Sequence, residues 1–287
     1  MQLKEIWDTM SSFYDDKRIL HVGGTAGISM ILSKYQSRAG ADAKCLFRVS
    51  EDAFEYREIY DKWVIPHDGR VRWYALKMLK EAFRAEIVHI HSADILLPVL
   101  KRIYPNKPVI LTYHNTKITE TWEERREYWE KADIVTIATP QLIENAPIEV
   151  PLTPNIIDTE HFVSKSDSLP NSALVFDFDQ YGDTSEGFKR NMEFANQQSL
   201  NTHVYRRDKY RIPHKVFPRF LDVFEYYLDI RSWYGKILDA ISTTALQMLA
   251  MGGKIYFDGN VYDKLPEEHI PSVVIQNWAE IYRQLIE

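Results

Sequence analysis

Three groups of residues in this 287-residue chain are of a type and spacing that can do chemistry. The first lies in the run Asp229 to Asp258, DIRSWYGKILDAISTTALQMLAMGGKIYFD. Ser242, Thr243 and Thr244 precede the apolar ALQMLAM and Gly252-Gly253 follows it, which predicts a helix between a hydrophilic loop and a strand. A helix start offers unpaired N–H groups and the positive end of its dipole, a combination suited to a phosphate or diphosphate. Asp239 comes just before that start and Gln247 falls in the first turns, so both can face one ligand. The same residues also suit a helix that is only capped, as in any α/β protein. The second group is His89 and His91, which alternate along EIVHIHS and so share a face. They are either two ligands of a metal site or hydrogen-bonding groups in packing, and no third ligand lies near them in sequence. The third is His114, delivered by the strand PVILTY to the carboxyl end of a sheet, where ligands bind in open α/β folds.

These groups need elements to hold them. Arg18 to Val22 reads as a buried strand that enters Gly23-Gly24-Thr25-Ala26-Gly27, and ISMILSKYQSRAG follows with helical spacing. Glycines there let backbone approach a ligand or a neighbouring domain; the fingerprint G-x-G-x-x-G is absent, which argues against a dinucleotide. Further strands are predicted at Ala43 to Arg48, Glu86 to Ser92, Pro108 to Tyr113 and Asp133 to Ala138. Helices are predicted over Arg72 to Arg84 and over the charged ETWEERREYWEKA, whose charges read as a solvated face. VPLTPNIIDTEHF and the polar SKSDSLPNS then mark a domain boundary. Beyond it the alternation restarts: a strand at Ala173 to Phe178, a helix at Lys189 to Gln197, strands at Thr202 to Tyr205 and Val223 to Ile230, the opening stretch, and a last helix from Val273. The expected fold class is α/β, with two Rossmann-like domains at 1–158 and 159–270, the second shortened, and a helix over 271–287 crossing back to the first.

Composition narrows the setting. A net charge of −6 argues against a general nucleic-acid binder, and a single Cys excludes an internal disulfide framework and fits a reducing cytoplasm. The charged N-terminal stretch has no apolar core of the signal-peptide kind, and no run is long enough to span a bilayer, so any membrane contact is expected to be peripheral. Seven Trp and seventeen Tyr predict packing at cores and interfaces. Trp63, Trp73 and Tyr74 can serve such packing or line a groove.

The words ILHVGGTAG, EIVHIHS, TYHNT, KADIVTIATPQL, PNIIDTEHF, STTALQMLAMGG and NWAEIYRQLI, in that order along nearly the whole chain, resemble the GT-B glycosyltransferases of family 4. The resemblance implies two Rossmann-like domains facing a central cleft and retaining, metal-independent transfer from a nucleotide-sugar donor such as a UDP- or GDP-sugar. It implies no cofactor, and a carbohydrate, lipid-linked or protein acceptor. His114 matches the family's acceptor-side His, and Gly23 and Gly24 match the turn facing the donor diphosphate. Asp239 and Gln247 stand where members commonly carry two Glu, the first near the transferred sugar and the second on the ribose. Asp keeps the charge on a shorter arm, and Gln keeps hydrogen bonding without charge. The family's Gly-Arg signature is missing; Lys189 and Arg190 are the nearest cations, with Arg206, Arg207 and Lys209 on a later loop as substitutes. Asp177-Phe178-Asp179 reads as a strand end rather than a metal-binding pair. Those departures keep open a catalytically inactive nucleotide-sugar-binding or partner subunit, and a nucleotide-sugar epimerase on the same fold is a third reading.

Overall fold

The computed structural model describes residues 12–115, 117–164, 168–177, 185–206, 210–233 and 236–286. Expectations on the first residues, on Phe178 and Asp179, and on Arg207 and Lys209 fall outside that set. The chain divides into two compact units: the part up to Ile156 with the segment from Pro271 onward, and Ile157–Ile270 between them.

The first unit is built on a six-stranded parallel sheet in the order β3-β2-β1-β4-β5-β6. Its strands are β1 (Arg18–Val22), β2 (Asp42–Arg48), β3 (Val64–His67), β4 (Ile87–His91), β5 (Val109–Tyr113) and β6 (Ile134–Ile137). The order reverses between β1 and β4, as in the Rossmann fold. Helix α1 (Ile28–Arg38) follows β1, α2 (Val71–Arg84) follows β3 and α3 (Leu97–Ile103) follows β4. Strands β1, β4, β5 and β6 are almost wholly buried, which is why they read as near-continuous apolar runs. One face packs Leu20, Val22, Val88, Ile90, Val109 and Leu111 against Tyr74 and Met78 of α2 and Leu97 and Leu100 of α3. The other packs Ile19, Ile87 and Ile110 against α1 and the last helix, α6 (Pro271–Ile286), through Val274, Ile275, Trp278 and Tyr282.

The second unit has a five-stranded sheet in the order β13-β12-β9-β7-β8. It comprises β7 (Leu169–Asp177), β8 (Asn201–Arg206), β9 (Phe224–Leu228) and β12 (Lys254–Phe257), all parallel, with antiparallel β13 (Asn260–Tyr262) at one edge. Helix α4 (Ser185–Gln197) connects β7 to β8, and α5 (Thr243–Ala250) leads into β12. A two-stranded ribbon, β10 (Ser232–Trp233) with β11 (Lys236–Ile237), occupies the loop between β9 and α5. Both units are therefore α/β and Rossmann-like.

Local departures from the sequence reading have identifiable causes. The charged helix expected over ETWEERREYWEKA is two short turns, Ile118–Thr121 and Arg126–Trp129. The Trp122 carbonyl, which a continuous helix would give to the Arg126 N–H, accepts from Trp129 Nε1 at 2.8 Å, and both indoles are buried. Nor are its charges all solvated: Arg125 pairs at 2.6 Å with Asp94, which is 1% exposed and also accepts from Tyr113 Oη. Strand β3 escaped notice because Pro66 interrupts its apolar pattern; it sits at the sheet edge, where a proline is tolerated.

The glycine-rich turn is packed by this unit's own atoms. A Cβ on Gly23, at φ +95°, would come within 2.6 Å of the His91 carbonyl oxygen, and one on Gly24 would strike the Phe47 ring. Gly24 has φ −124°, open to any residue, so only the clash requires glycine there. Gly24→Ala should cost about 1–3 kcal/mol by overpacking. Combined with Phe47→Leu it should cost less than the sum of the two single changes in chemical denaturation; strict additivity would show that the ring is not the obstacle.

Candidate functional site

On the face of the first sheet covered by α1 and α6, each of four adjacent strands carries an isoleucine and then, two residues on, a polar side chain. Ile19 and His21 lie on β1, Ile87 with His89 and His91 on β4, Ile110 and Thr112 on β5, and Ile134 and Thr136 on β6. The register sets His21 beside His89, His91 beside Thr112, and Thr112 beside Thr136. His21, His89, Thr112 and Thr136 are at most 1% exposed and His91 is 2% exposed. His114, just past β5, is half-buried at the rim of this layer.

The layer is one hydrogen-bonded network. His91 joins His114 through Nδ1···Nε2 at 3.0 Å and His21 through Nε2···Nδ1 at 3.0 Å. His21 Nε2 meets Gln36 Oε1 of α1 at 2.7 Å, and Gln36 Nε2 donates to Tyr282 Oη of α6 at 3.2 Å. Tyr282 Oη bonds to His89 Nδ1 at 3.0 Å; His89 Nε2 bonds to Thr112 Oγ1 at 2.7 Å, and Thr112 to Thr136 at 2.7 Å. Each unmade bond of this kind would cost about 1–3 kcal/mol, so the pairing is what makes a polar layer tolerable in a dry interior.

His21, His89 and His91 each place a ring nitrogen within 4.8 Å of the others, and His21 supplies the third imidazole that the sequence did not disclose. The rings are layered rather than convergent: His89 and His91 stack at 4.1 Å with 28° between planes, and His21 lies against both at 5.1 and 5.2 Å. A metal must lie in the plane of each imidazole that binds it, so these rings would have to leave their partners and turn out of the stack. The arrangement favours proton-bearing chemistry over coordination. Burial drives the imidazoles toward the neutral form: His21 and His114 are lowered to about 4, and His89 and His91 fall well below the ordinary 6.5, helped by one another's proximity. A side-chain hydrogen bond with Asn155 partly opposes the shift at His114.

In the second unit, α5 begins as the hydroxyl residues predict. Ser242 is its N-cap, and Ser242 Oγ accepts from the Ala245 N–H at 3.0 Å. The Ser242 N–H itself donates at 2.7 Å to Asp229, which is fully buried at the end of β9. Burial pushes the Asp229 carboxyl up, while Arg231 at 3.1 Å and the Ser242 bonds pull it down. Arg231 also donates to the Ala240 carbonyl, so one buried carboxylate and one guanidinium fold the loop back onto the helix start. Thr243 and Thr244 lie in the half-buried first turn. Gln247, one turn on, is only 4% exposed. At the far end Gly252, with φ +81°, closes the helix, and the Gly253 N–H bonds back to the Met248 carbonyl at 3.1 Å.

A cavity of about 740 Å³ opens beyond the carboxyl ends of β9 and β12, lined among others by Arg190, Glu193, Ile230, Asp239, Tyr256 and Asp258. Asn191 of α4 clamps its rim, accepting from the Ile230 N–H at 3.1 Å and donating to the Ile230 carbonyl at 2.8 Å. Gly187 lets that helix approach: a Cβ there would lie 2.8 Å from the Ile230 carbonyl oxygen. Phe194 and Tyr256 stack flat, 3.7 Å apart, beside the same space.

Of the residues singled out by sequence, Asp239 and Arg190 share this cavity; Arg190 also pairs with Glu186 at 2.9 Å, and Lys189 is exposed on the same helix. Arg206 lies 3.8 Å from Asp177. His114 belongs to the histidine layer of the first unit, whereas Gly23 packs on the His91 carbonyl and Gly24 on the Phe47 ring. Sequence reasoning missed His21 and Thr112, which the sheet register sets beside His89 and His91, and Gln36 and Tyr282, which α1 and α6 bring onto the same layer. The alternation of Ile and His along both β1 and β4 was the one available signal. Compared with known proteins, the chain matches no protein-family model and no curated sequence. Among the described residues no helix is long and apolar enough to cross a membrane.

The neutral imidazoles give a pH prediction. His214 of the second unit, buried beside His161, belongs with them, lowered to about 3. All have folded values below the unfolded one, so as pH falls below about 6.5 the unfolded chain binds protons first. Their contribution to stability is full above that pH and is lost as pH falls toward about 4, by up to about 1.4 kcal/mol per pH unit for each group. Urea midpoints should hold from about pH 8 to 7 and drop steeply below about 6; a flat profile down to about pH 5 would contradict burial of the neutral rings.

Proposed function

We propose that this protein is a glycosyltransferase of the GT-B kind, moving a sugar from a nucleotide-sugar donor to an acceptor with retention and without a catalytic metal. The carrying observation is in the second unit: beyond the carboxyl ends of its parallel strands, a cavity large enough for a small-molecule donor has both Asp239 and Arg190 on its lining, and α5 begins from the adjoining loop. A guanidinium and a helix start suit the diphosphate, whose negative charge grows as the sugar leaves. A carboxylate suits the sugar hydroxyls. The order of sequence words, the Rossmann-like sheet of each unit and the return of α6 to the first unit support the same reading.

In this proposal the second unit holds the donor and the first the acceptor. Asp239 accepts hydrogen bonds from the transferred sugar, the helix start at Ser242, Thr243 and Thr244 hydrogen-bonds the diphosphate, Lys189 and Arg190 neutralise it, and His114 meets the reacting sugar or the acceptor. Gln247 holds the ribose, and Gly23 and Gly24 allow close backbone approach. Asp229 and Arg231 contact no substrate and fix the loop that carries Asp239.

Two observations favour a second reading, a nucleotide-sugar-binding subunit without turnover. Gln247 is almost wholly buried, and Arg190 is already paired with Glu186. Calorimetry against a panel of UDP- and GDP-sugars, followed by an assay for released nucleotide, separates the two: binding without release in the presence of varied acceptors selects the subunit. For the transferase, Asp239→Ala and His114→Ala should each lower turnover by about 10²-fold or more with unchanged circular dichroism. Unchanged turnover in both would sink the assignment.

A further inference from the structure

The network through the first unit has a direction, and the Gln36 amide sets it. Gln36 Nε2 donates to Tyr282 Oη of α6 at 3.2 Å, and an amide nitrogen can only donate. The carbonyl end of the Gln36 amide therefore faces His21, and the proton of neutral His21 sits on Nε2. Its Nδ1 can only accept, so His91 donates from Nε2. His91 Nδ1 then accepts in turn, and His114 donates from Nε2. A second branch leaves Gln36 through Tyr282 to His89 Nδ1, Thr112 and Thr136, and does not pass through His114.

We infer that Gln36, His21 and His91 form a buried relay that fixes His114 with its proton on Nε2 and its lone pair on Nδ1. They are positioning residues: none but His114 reaches the rim, and the relay leaves its Nδ1 as a hydrogen-bond acceptor, for the Asn155 amide or for a substrate hydroxyl that displaces it. The neutral state of all three rings, enforced by burial, keeps each bond single and directional. The relay's role in transfer rests on the reading of His114 given above; the tautomer itself does not.

Multiple-bond 1H–15N correlation spectra of the 15N-labelled protein near neutral pH report the tautomer of each imidazole. The Nε2–H form is expected at His21, His91 and His114, with a protected Hε2 on His114. A proton on Nδ1 of His114, taken up for instance by Asn155, or on Nδ1 of His21, would overturn the relay. His91→Gln keeps an acceptor for His114 and a donor for His21 and should preserve the His114 signal, as should His89→Gln on the other branch. His91→Leu should speed exchange of the His114 Hε2 at least about tenfold. It should also lower kcat by about 10²-fold at unchanged KM, with His91→Gln within about threefold of the parent. Equal effects of His91→Leu and His91→Gln in folded proteins would reduce His91 to packing. Absence of transfer in every protein would defeat the transferase reading, while the spectra would still decide the relay.

Discussion

Burying several imidazoles side by side is tolerable only if every ring nitrogen finds a partner and no ring is charged. That constraint organises the first unit. It explains why a layer of His and Thr lies over four adjacent strands, why Gln36 projects from α1 at that level, and why α6 brings Tyr282 back to the same place. Had any member been apolar, its neighbours would have been left with buried unmet groups, at a cost of about 1–3 kcal/mol each. The isoleucines one pleat earlier on the same strands form the dry floor beneath this layer, so one sheet face changes from hydrocarbon to hydrogen bonding along its length.

The second unit solves a similar problem with a charge. Asp229 is fully buried, and it is kept there by the Ser242 N–H and by Arg231, which at the same time holds the Ala240 carbonyl. Removing one partner of such a pair is far more damaging than the pair is stabilising, because an uncompensated charge would remain inside. The consequence is a loop with defined shape between β9 and α5, despite its polar composition. Asp239 owes its place at the cavity to that loop, and Asn191 and Gly187 fix Ile230 at the rim.

Sequence periodicity made the long elements legible for a simple reason: β1, β4, β5 and β6 are buried on both faces, and such strands leave uninterrupted apolar runs. The capped helix α5 was equally legible, since Ser242 and Gly252 act locally at its two ends. What went unread was decided by non-local bonds. Trp129 takes a carbonyl from Trp122 and breaks a helix whose composition favours continuity. Asp94 draws Arg125 out of an apparently solvated face. The polar stretch before α5 gave no sign of the ribbon β10–β11, whose strands are two residues each.

By itself, then, the sequence determined an α/β chain with a glycine turn, a hydroxyl-capped helix start, and isolated polar residues on apolar strands. Those are properties of single residues and their near neighbours. Tertiary structure alone decided that His21, His89, His91 and His114 belong to one chain of hydrogen bonds, because parallel pairing brings together strands separated by about seventy residues. It alone decided that Arg190 and Asp239 line a common cavity, because the sheet brings α4 and the loop before α5 together beyond the carboxyl ends of its strands. Register and layer packing are collective results of burying whole surfaces, and no short window of sequence contains them.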